Sequence, residues 1–174
     1  MKKMCLIGLL GLFLSGCSEY PGHLPADSVK MSYKPAWSDS INPEILLGGD
    51  CHIDSINENP GEGLQSHTVR RTDPALKISG WGAISVKDGV VASDIAIALK
   101  SASAQGTRLF ATATKKKRPD VAEFFKNPAS VDTGYIVAID LSDVPTGKYL
   151  LEVILHKDEK NFKCQNTSKI IVKK

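Results

Sequence analysis

Apolar and polar residues alternate with a period of two in seven separate stretches of the chain. Ile53 and Ser55 begin the first. Leu76-Lys77-Ile78-Ser79, running on through Gly80-Trp81-Gly82-Ala83-Ile84, forms the second. Asp94 to Lys100 sets Ile95, Ile97 and Leu99 on one face and Ala96 and Ala98 on the other. Arg108 to Thr114 alternates Leu109, Ala111 and Ala113 with Arg108, Phe110 and Thr112. Tyr135, Val137, Ile139 and Leu141 make a fifth set, Tyr149, Leu151, Val153 and Leu155 a sixth, and Ile170-Ile171-Val172 the last. Successive side chains of a strand point to opposite faces, so each stretch predicts a strand with a buried side. Seven short strands separated by turn signals predict an all-β fold, an antiparallel β-sandwich.

The punctuation agrees with the pattern. Lys87-Asp88-Gly89 contains the Asp-Gly pair of a hairpin, and Val144-Pro145-Thr146-Gly147 places Pro and Gly where a reversal needs them. Between Pro119 and Phe125 the period changes, with Val121, Phe124 and Phe125 at helical spacing. Pro119 suits a first helical position, and Asp120 and Glu123 suit the positive end of a helix dipole. One short helix near 119–126 is predicted, crossing between the sheets.

Ahead of the first strand, Ser18 to about Gly49 carries Pro21, Pro25, Pro35 and Pro43 and no sustained period. This stretch predicts a flexible tether over 17–49 and a sandwich domain over 50–174. About 30 flexible residues reach on the order of 30 Å. Trp37 and Ile45-Leu46-Leu47 are its apolar exceptions, the places where it would pack back onto the domain.

The chain starts Met1-Lys2-Lys3-Met4 and continues with an apolar run from Cys5 to Leu14. Ten helical residues span ~15 Å, half of a ~30 Å hydrocarbon core, so the run fits a signal peptide and not a membrane span. Leu14-Ser15-Gly16-Cys17 resembles the lipobox of bacterial lipoproteins. The resemblance implies removal of residues 1–16, a diacylglyceryl group on the Cys17 thiol, and an acyl chain such as palmitate on its new amine. Two or three chains are needed because one gives only marginal binding, at ~0.8 kcal/mol per buried CH₂. Ser18, not Asp, follows the cysteine. By similarity to the sorting rule of enteric bacteria this implies the outer membrane, with the periplasmic face favoured. The alternative is a soluble secreted chain whose cleavage site happens to precede a cysteine.

The 174 residues, 42% apolar, suffice for one domain of ordinary size and rule out wholesale disorder. Basic side chains number 22 and acidic ones 19, a formal +3. Loss of Lys2 and Lys3 with the signal brings the balance to nearly even, which argues against a nucleic-acid partner.

Of the four cysteines, Cys5 leaves with the signal and Cys17 is lipidated, leaving Cys51 and Cys164. In an oxidising compartment the two are expected to pair. Closing a loop of roughly a hundred residues stabilises by about 4–5 kcal/mol in chain-entropy terms. The rival is a metal site built from Cys51, His52 and Cys164, a poor ligand spacing. The expectation is a disulfide, with no metal and no cofactor.

Gly80-Trp81, Arg118-Pro119-Asp120-Val121, Gly134-Tyr135 and the hairpin from Leu141 to Tyr149 together give the region from Leu76 to Val172 a recognisable outline. It resembles the immunoglobulin-like β-sandwich module appended to some bacterial envelope proteins, including polytopic glycosyltransferase-like ones. The resemblance implies a structural or binding module and transfers no catalytic residue. This chain lacks the membrane-spanning bundle of the enzyme-fused versions, so any link to glycan chemistry is indirect.

Candidate chemistry is sparse. Gly48-Gly49-Asp50-Cys51 superficially suggests a nucleophile turn, but no motif fixes a base among His23, His52, His67 and His156. Asp94, Asp120, Glu123 and Asp140 are candidate paired carboxylates, of which Asp120 and Asp140 fall at ordinary structural positions. Lys115-Lys116-Lys117 offers a surface for an anionic envelope partner, or a strand end that discourages sheet-to-sheet association. Arg118 is set apart from them, as a partner of Asp120 or a nearby carbonyl. Trp81 is a core residue or a sugar-stacking platform, and Tyr135 a second aromatic candidate. Asn166-Thr167-Ser168 matches a glycosylation sequon that a bacterial lipoprotein rarely uses. The expected function is a non-catalytic, membrane-anchored lipoprotein presenting a sandwich surface to an envelope protein or glycan. A glycan-binding or polysaccharide-assembly accessory protein is the alternative. A small exported hydrolase, requiring His67 or His156 to meet a carboxylate in a pocket, is the third.

Overall fold

The computed structural model describes residues 24–70, 72–103, 106–165 and 169–174. Cys17 with its lipobox, the apolar run before it, His23 and the Asn166-Thr167-Ser168 sequence lie outside the described residues. In chain order the strands are β1 (Val29–Lys30), β2 (Leu46–Leu47), β3 (Asp50–Ile56), β4 (Asn59–Pro60), β5 (Ser66–Val69), β6 (Leu76–Ser85) and β7 (Val90–Val91). There follow β8 (Asp94–Ser101), β9 (Arg108–Thr112) and β10 (Thr114–Lys116), then helix α1 (Pro119–Phe124) and a 3₁₀ segment at Pro128–Thr133. The chain closes with β11 (Gly134–Asp140), β12 (Gly147–Lys157), β13 (Lys160–Lys163) and β14 (Lys169–Lys173).

These strands form two seven-stranded sheets. The first is ordered β1-β11-β6-β3-β4, with β10 on β11 and β7 on β6. In the second, β12 is the spine. It pairs with β8 along one side, and with β13 and β14 successively along the other, while β9 extends β8. All seven alternating stretches are strands, and the architecture is the all-β sandwich that they predict. The additional strands are short. Three of those at the edges, β1 on β11, β2 on β13 and β5 on β14, run parallel to their neighbours, against the antiparallel rule of the main ladders, whereas β4 pairs antiparallel with β3.

The core follows from the alternation. Ile53, Ile56, Leu76, Ile78, Val137 and Ile139 from the first sheet meet Ile95, Ile97, Leu99, Leu151, Val153, Leu155 and Ile171 from the second. Each such side chain stabilises by roughly 1.5–3 kcal/mol relative to its exposed state. Cys51 on β3 and Cys164 just after β13 are joined by a disulfide, their Cα atoms 5.9 Å apart, so the bond links one sheet to the other.

The stretch expected as a tether is in large part laid against the domain. β1 extends the first sheet, and a backbone bridge joins Ser32 to Phe110 of β9. From there the chain crosses the outer face of the second sheet as a strap. Trp37 and Ile45 pack on Ala98, Phe110 and Ile154, and β2 pairs with β13. The Trp37 ring stacks on His156 at a centroid distance of 5.0 Å, and its Nε1–H donates to Asn161 Oδ1 at 2.8 Å. Asn161 in turn donates to the Glu44 carbonyl, so one buried amide secures the strap at two points.

Candidate functional site

On the outer face of the first sheet, strand register aligns His52, Trp81, Gly134 and Lys116 in one row across β3, β6, β11 and β10. Gly134 leaves a gap in that row. The aliphatic stem of Arg118 lies in it, with Cγ only 2.6 Å from where a β-carbon would stand. The Arg118 guanidinium then reaches two carboxylates. Nε and Nη2 donate to both oxygens of Asp120, at 2.8 and 2.6 Å, and Nη1 donates to Asp54 Oδ2 at 2.5 Å.

Asp54 is brought into reach by a bulge. β3 and β6 shift register between Ile53 and Ser55, which leaves Asp54 as the extra residue, and bulges commonly redirect a side chain in this way. The hydrogen bond to Asp120 raises the Arg118 pKa against the opposing effect of burial, and the charge of Asp54 adds to the rise. Reciprocally, the bond from Arg118 lowers the Asp120 carboxyl to about 2. His52 Nε2 stands 4.0 Å from Asp54 Oδ1.

This clamp fixes the entry to α1. Of the six residues of α1 only Val121 is buried, joining Ala83 and Val86 in a small cluster outside the main core. So short a helix has little stability of its own. Pro119 at its start and the Arg118 pair hold it in place. Trp81 and Phe125 pack edge to face at 5.5 Å, and Phe124 meets Phe125 at 4.9 Å. Phe124 itself is 79% exposed. The helical spacing that predicts a buried stripe of Val121, Phe124 and Phe125 therefore holds for Val121, partly for Phe125, and not for Phe124.

The other predicted residues are placed as follows. Trp81 is neither inter-sheet core nor a free platform. It is half-buried on the outside of the sheet, because Gly80 and Gly82 take the inward positions on either side of it. Tyr135 is not an exposed ligand group. It is buried in the core with its hydroxyl donating to the His52 carbonyl at 3.3 Å, and burial pushes its pKa upward. Gly80 is required beneath it, since a β-carbon there would run into the Tyr135 ring and hydroxyl. Lys115, Lys116 and Lys117 are exposed, the first two on the short edge strand β10, and Lys115 Nζ donates to the Ala92 carbonyl at 2.7 Å.

The histidines of the hydrolase reading are engaged with amides. His67 Nε2 meets Asn57 Nδ2 at 3.3 Å, and burial lowers its pKa. His156 Nδ1 meets Asn161 Oδ1 at 3.1 Å beneath the Trp37 ring, although Asp94 stands opposite it in register. Asp140 accepts from the Ser142 amide at the end of β11. Among the described residues no three His, Cys, Asp or Glu side chains are grouped to hold a metal.

Gly80-Trp81, Arg118-Pro119-Asp120-Val121 and Gly134-Tyr135, scattered in sequence, thus meet at one place, with the tyrosine on the core side and the rest outside. Asp54 and the display of Phe124 are what sequence reading missed. Nothing local to Asp54 signals a partner 64 positions away. A comparison with protein-family models finds no match to this chain, and none is found among curated proteins or solved structures.

Proposed function

We propose that this protein is an exported lipoprotein, anchored through acyl chains on Cys17, that acts by docking an envelope partner and not by catalysis. The observation that carries the docking assignment is Phe124, an aromatic side chain 79% exposed on a helix that is clamped to the sheet below. A displayed aromatic on a rigid support loses little conformational freedom on binding and buries a large area, which is the chemistry of an interface anchor. The lipobox-like Leu14-Ser15-Gly16-Cys17 and the Cys51–Cys164 disulfide support export and an oxidising compartment.

A glycan partner is the second reading, favoured by the half-buried Trp81 ring beside His52, Asp54 and Arg118. An aromatic face next to groups that donate and accept hydrogen bonds suits a sugar ring.

The test is cross-linking of the tagged full chain in intact cells, followed by denaturing pull-down. A cross-linked species that is lost in Phe124→Glu, with membrane retention and the disulfide intact, is the expected result. The same species undiminished by Phe124→Glu contradicts the assignment of this face, and no cross-linked species at all contradicts docking. For the glycan reading, envelope glycan fragments should shift the Trp81 indole NMR resonance; an unmoved resonance removes that reading.

A further inference from the structure

The strap leaves part of the outer face of the second sheet uncovered. Register places Arg108, Lys100, Leu150, Ile170 and Ser66 in one transverse row on that face, across β9, β8, β12, β14 and β5. Leu150 and Ile170 are 37% and 39% exposed. Leu47, more exposed still, shares with Leu150, Glu152 and Lys163 a recess of about 360 Å³. The same face carries Lys148, two residues before Leu150, and Glu152, which is held between Arg108 Nε at 2.7 Å and Lys163 Nζ at 3.3 Å. Lys100, Lys148, Arg108 and Lys163 therefore surround three apolar side chains with Glu152 as the carboxylate among them, and the patch is net positive.

The position of the anchor gives this patch its partner. Leu24 lines a cavity of about 630 Å³ with Val144, Thr146 and Lys173, at the pole where β12 begins and β14 ends. Leu150 lies three residues from that pole along β12, about 10 Å at the rise of a strand. Cys17 and Leu24 are seven positions apart, at most about 25 Å of extended chain. Because the strap is docked, the stretch from Val29 to Leu47 adds no reach between anchor and domain, contrary to the long tether that the sequence suggests. An acylated Cys17 therefore holds this pole, and the Leu150 row beside it, close to the bilayer.

We propose that the row Lys100-Leu150-Ile170, with Leu47 and Lys148, docks on the bilayer surface. Its lysines would meet anionic phospholipid headgroups, and its apolar side chains the interface below them. The proposal rests on the reading of Cys17 as the anchor. Membrane docking on this side leaves the Phe124 shelf, on the opposite sheet, facing away from the lipid.

The test places a photoreactive amino acid at Leu150, or at Ile170 should the first fail to fold, in the full chain within the bacterial envelope. Phe124 is the control position. The readout is adducts with phosphate-labelled phospholipid, with palmitate labelling followed in the same samples. Phospholipid adducts at Leu150 and few at Phe124 are expected. In Lys100→Glu/Lys148→Glu the adducts should fall on the order of tenfold, given the attraction of basic residues to an anionic surface. Palmitate labelling without phospholipid adducts at Leu150 and Ile170 overturns the docking face and leaves the anchor standing. Adducts without palmitate labelling support the face and overturn the anchor, and absence of both overturns both. Equal phospholipid adducts at Phe124, or protein adducts in their place at Leu150, also overturn the face.

Discussion

The two outer faces of the sandwich are covered in contrasting ways. Over the first sheet lies α1, which buries Val121 and is held by the Arg118 bonds to Asp54 and Asp120. Over the second sheet lies the strap, held by the apolar packing of Trp37 and Ile45 and by the hydrogen bonds of Asn161. One cover is fixed mainly by charge at a half-exposed site, the other by burial. Charge-assisted bonds in contact with water respond to pH and salt, whereas apolar packing responds to loss of volume. The two faces should therefore loosen under different conditions, and each leaves part of its surface uncovered. Beside the charge-held helix stands an aromatic shelf, and beside the apolar strap an aliphatic row ringed by lysines.

The largest expected effect removes the contrast altogether. The Cys51–Cys164 bond joins the sheets and belongs to neither cover. Replacing both cysteines with alanine should lower unfolding stability by about 2–5 kcal/mol and weaken both faces together, read by chemical denaturation. Selective loosening of one face would show that the bond supports that face in particular.

Trp37→Ala comes next. It removes a stacked ring and the hydrogen bond to Asn161, at a cost of about 2–3 kcal/mol. Hydrogen exchange should accelerate over residues 32–47 and stay unchanged in α1. Arg118→Ala should act in the reverse sense, costing roughly 1–2 kcal/mol because Asp54 and Asp120 lose their partner. Exchange should then accelerate over 119–125 and stay unchanged in the strap. Coupled loosening of the two covers in either variant would break the comparison.

The smallest effect is in acid. The folded Asp120 carboxyl titrates at about 2 against an ordinary 3.8. Its contribution is therefore fully present above about pH 4 and is lost as the pH falls toward 2. The side chain is 62% exposed, so solvent screening limits the change to about 0.5 kcal/mol or less. Denaturation midpoints should drop slightly more between pH 5 and 2.5 in the wild type than in Asp120→Asn, and an equal drop would remove Asp120 from the clamp.

The main strands were legible because alternation is a local signal that burial enforces: a shift of one residue at Ile95-Ala96-Ile97-Ala98-Leu99 would turn its large side chains to the wrong face. The short edge strands were not, since a two-residue strand such as Leu46–Leu47 exists only through the neighbour it pairs with. For the same reason the proline-rich stretch read as a tether. Its attachment depends on Asn161 and His156, more than a hundred residues away. At the site, the partnership of Arg118 with Asp120 was readable from their spacing, and that with Asp54 was not, because a bulge creates it. Phe124 misled because helical period reports which residues share a face and not whether anything covers it.

The central claim, an acyl-anchored and disulfide-closed docking domain, is tested most directly by the intact mass of the protein extracted from membranes without reductant. The account predicts a chain beginning at Cys17, carrying a diacylglyceryl group and an amide-linked acyl chain, with Cys51 joined to Cys164. A chain with an unmodified Cys17 and two free thiols at those positions would contradict it.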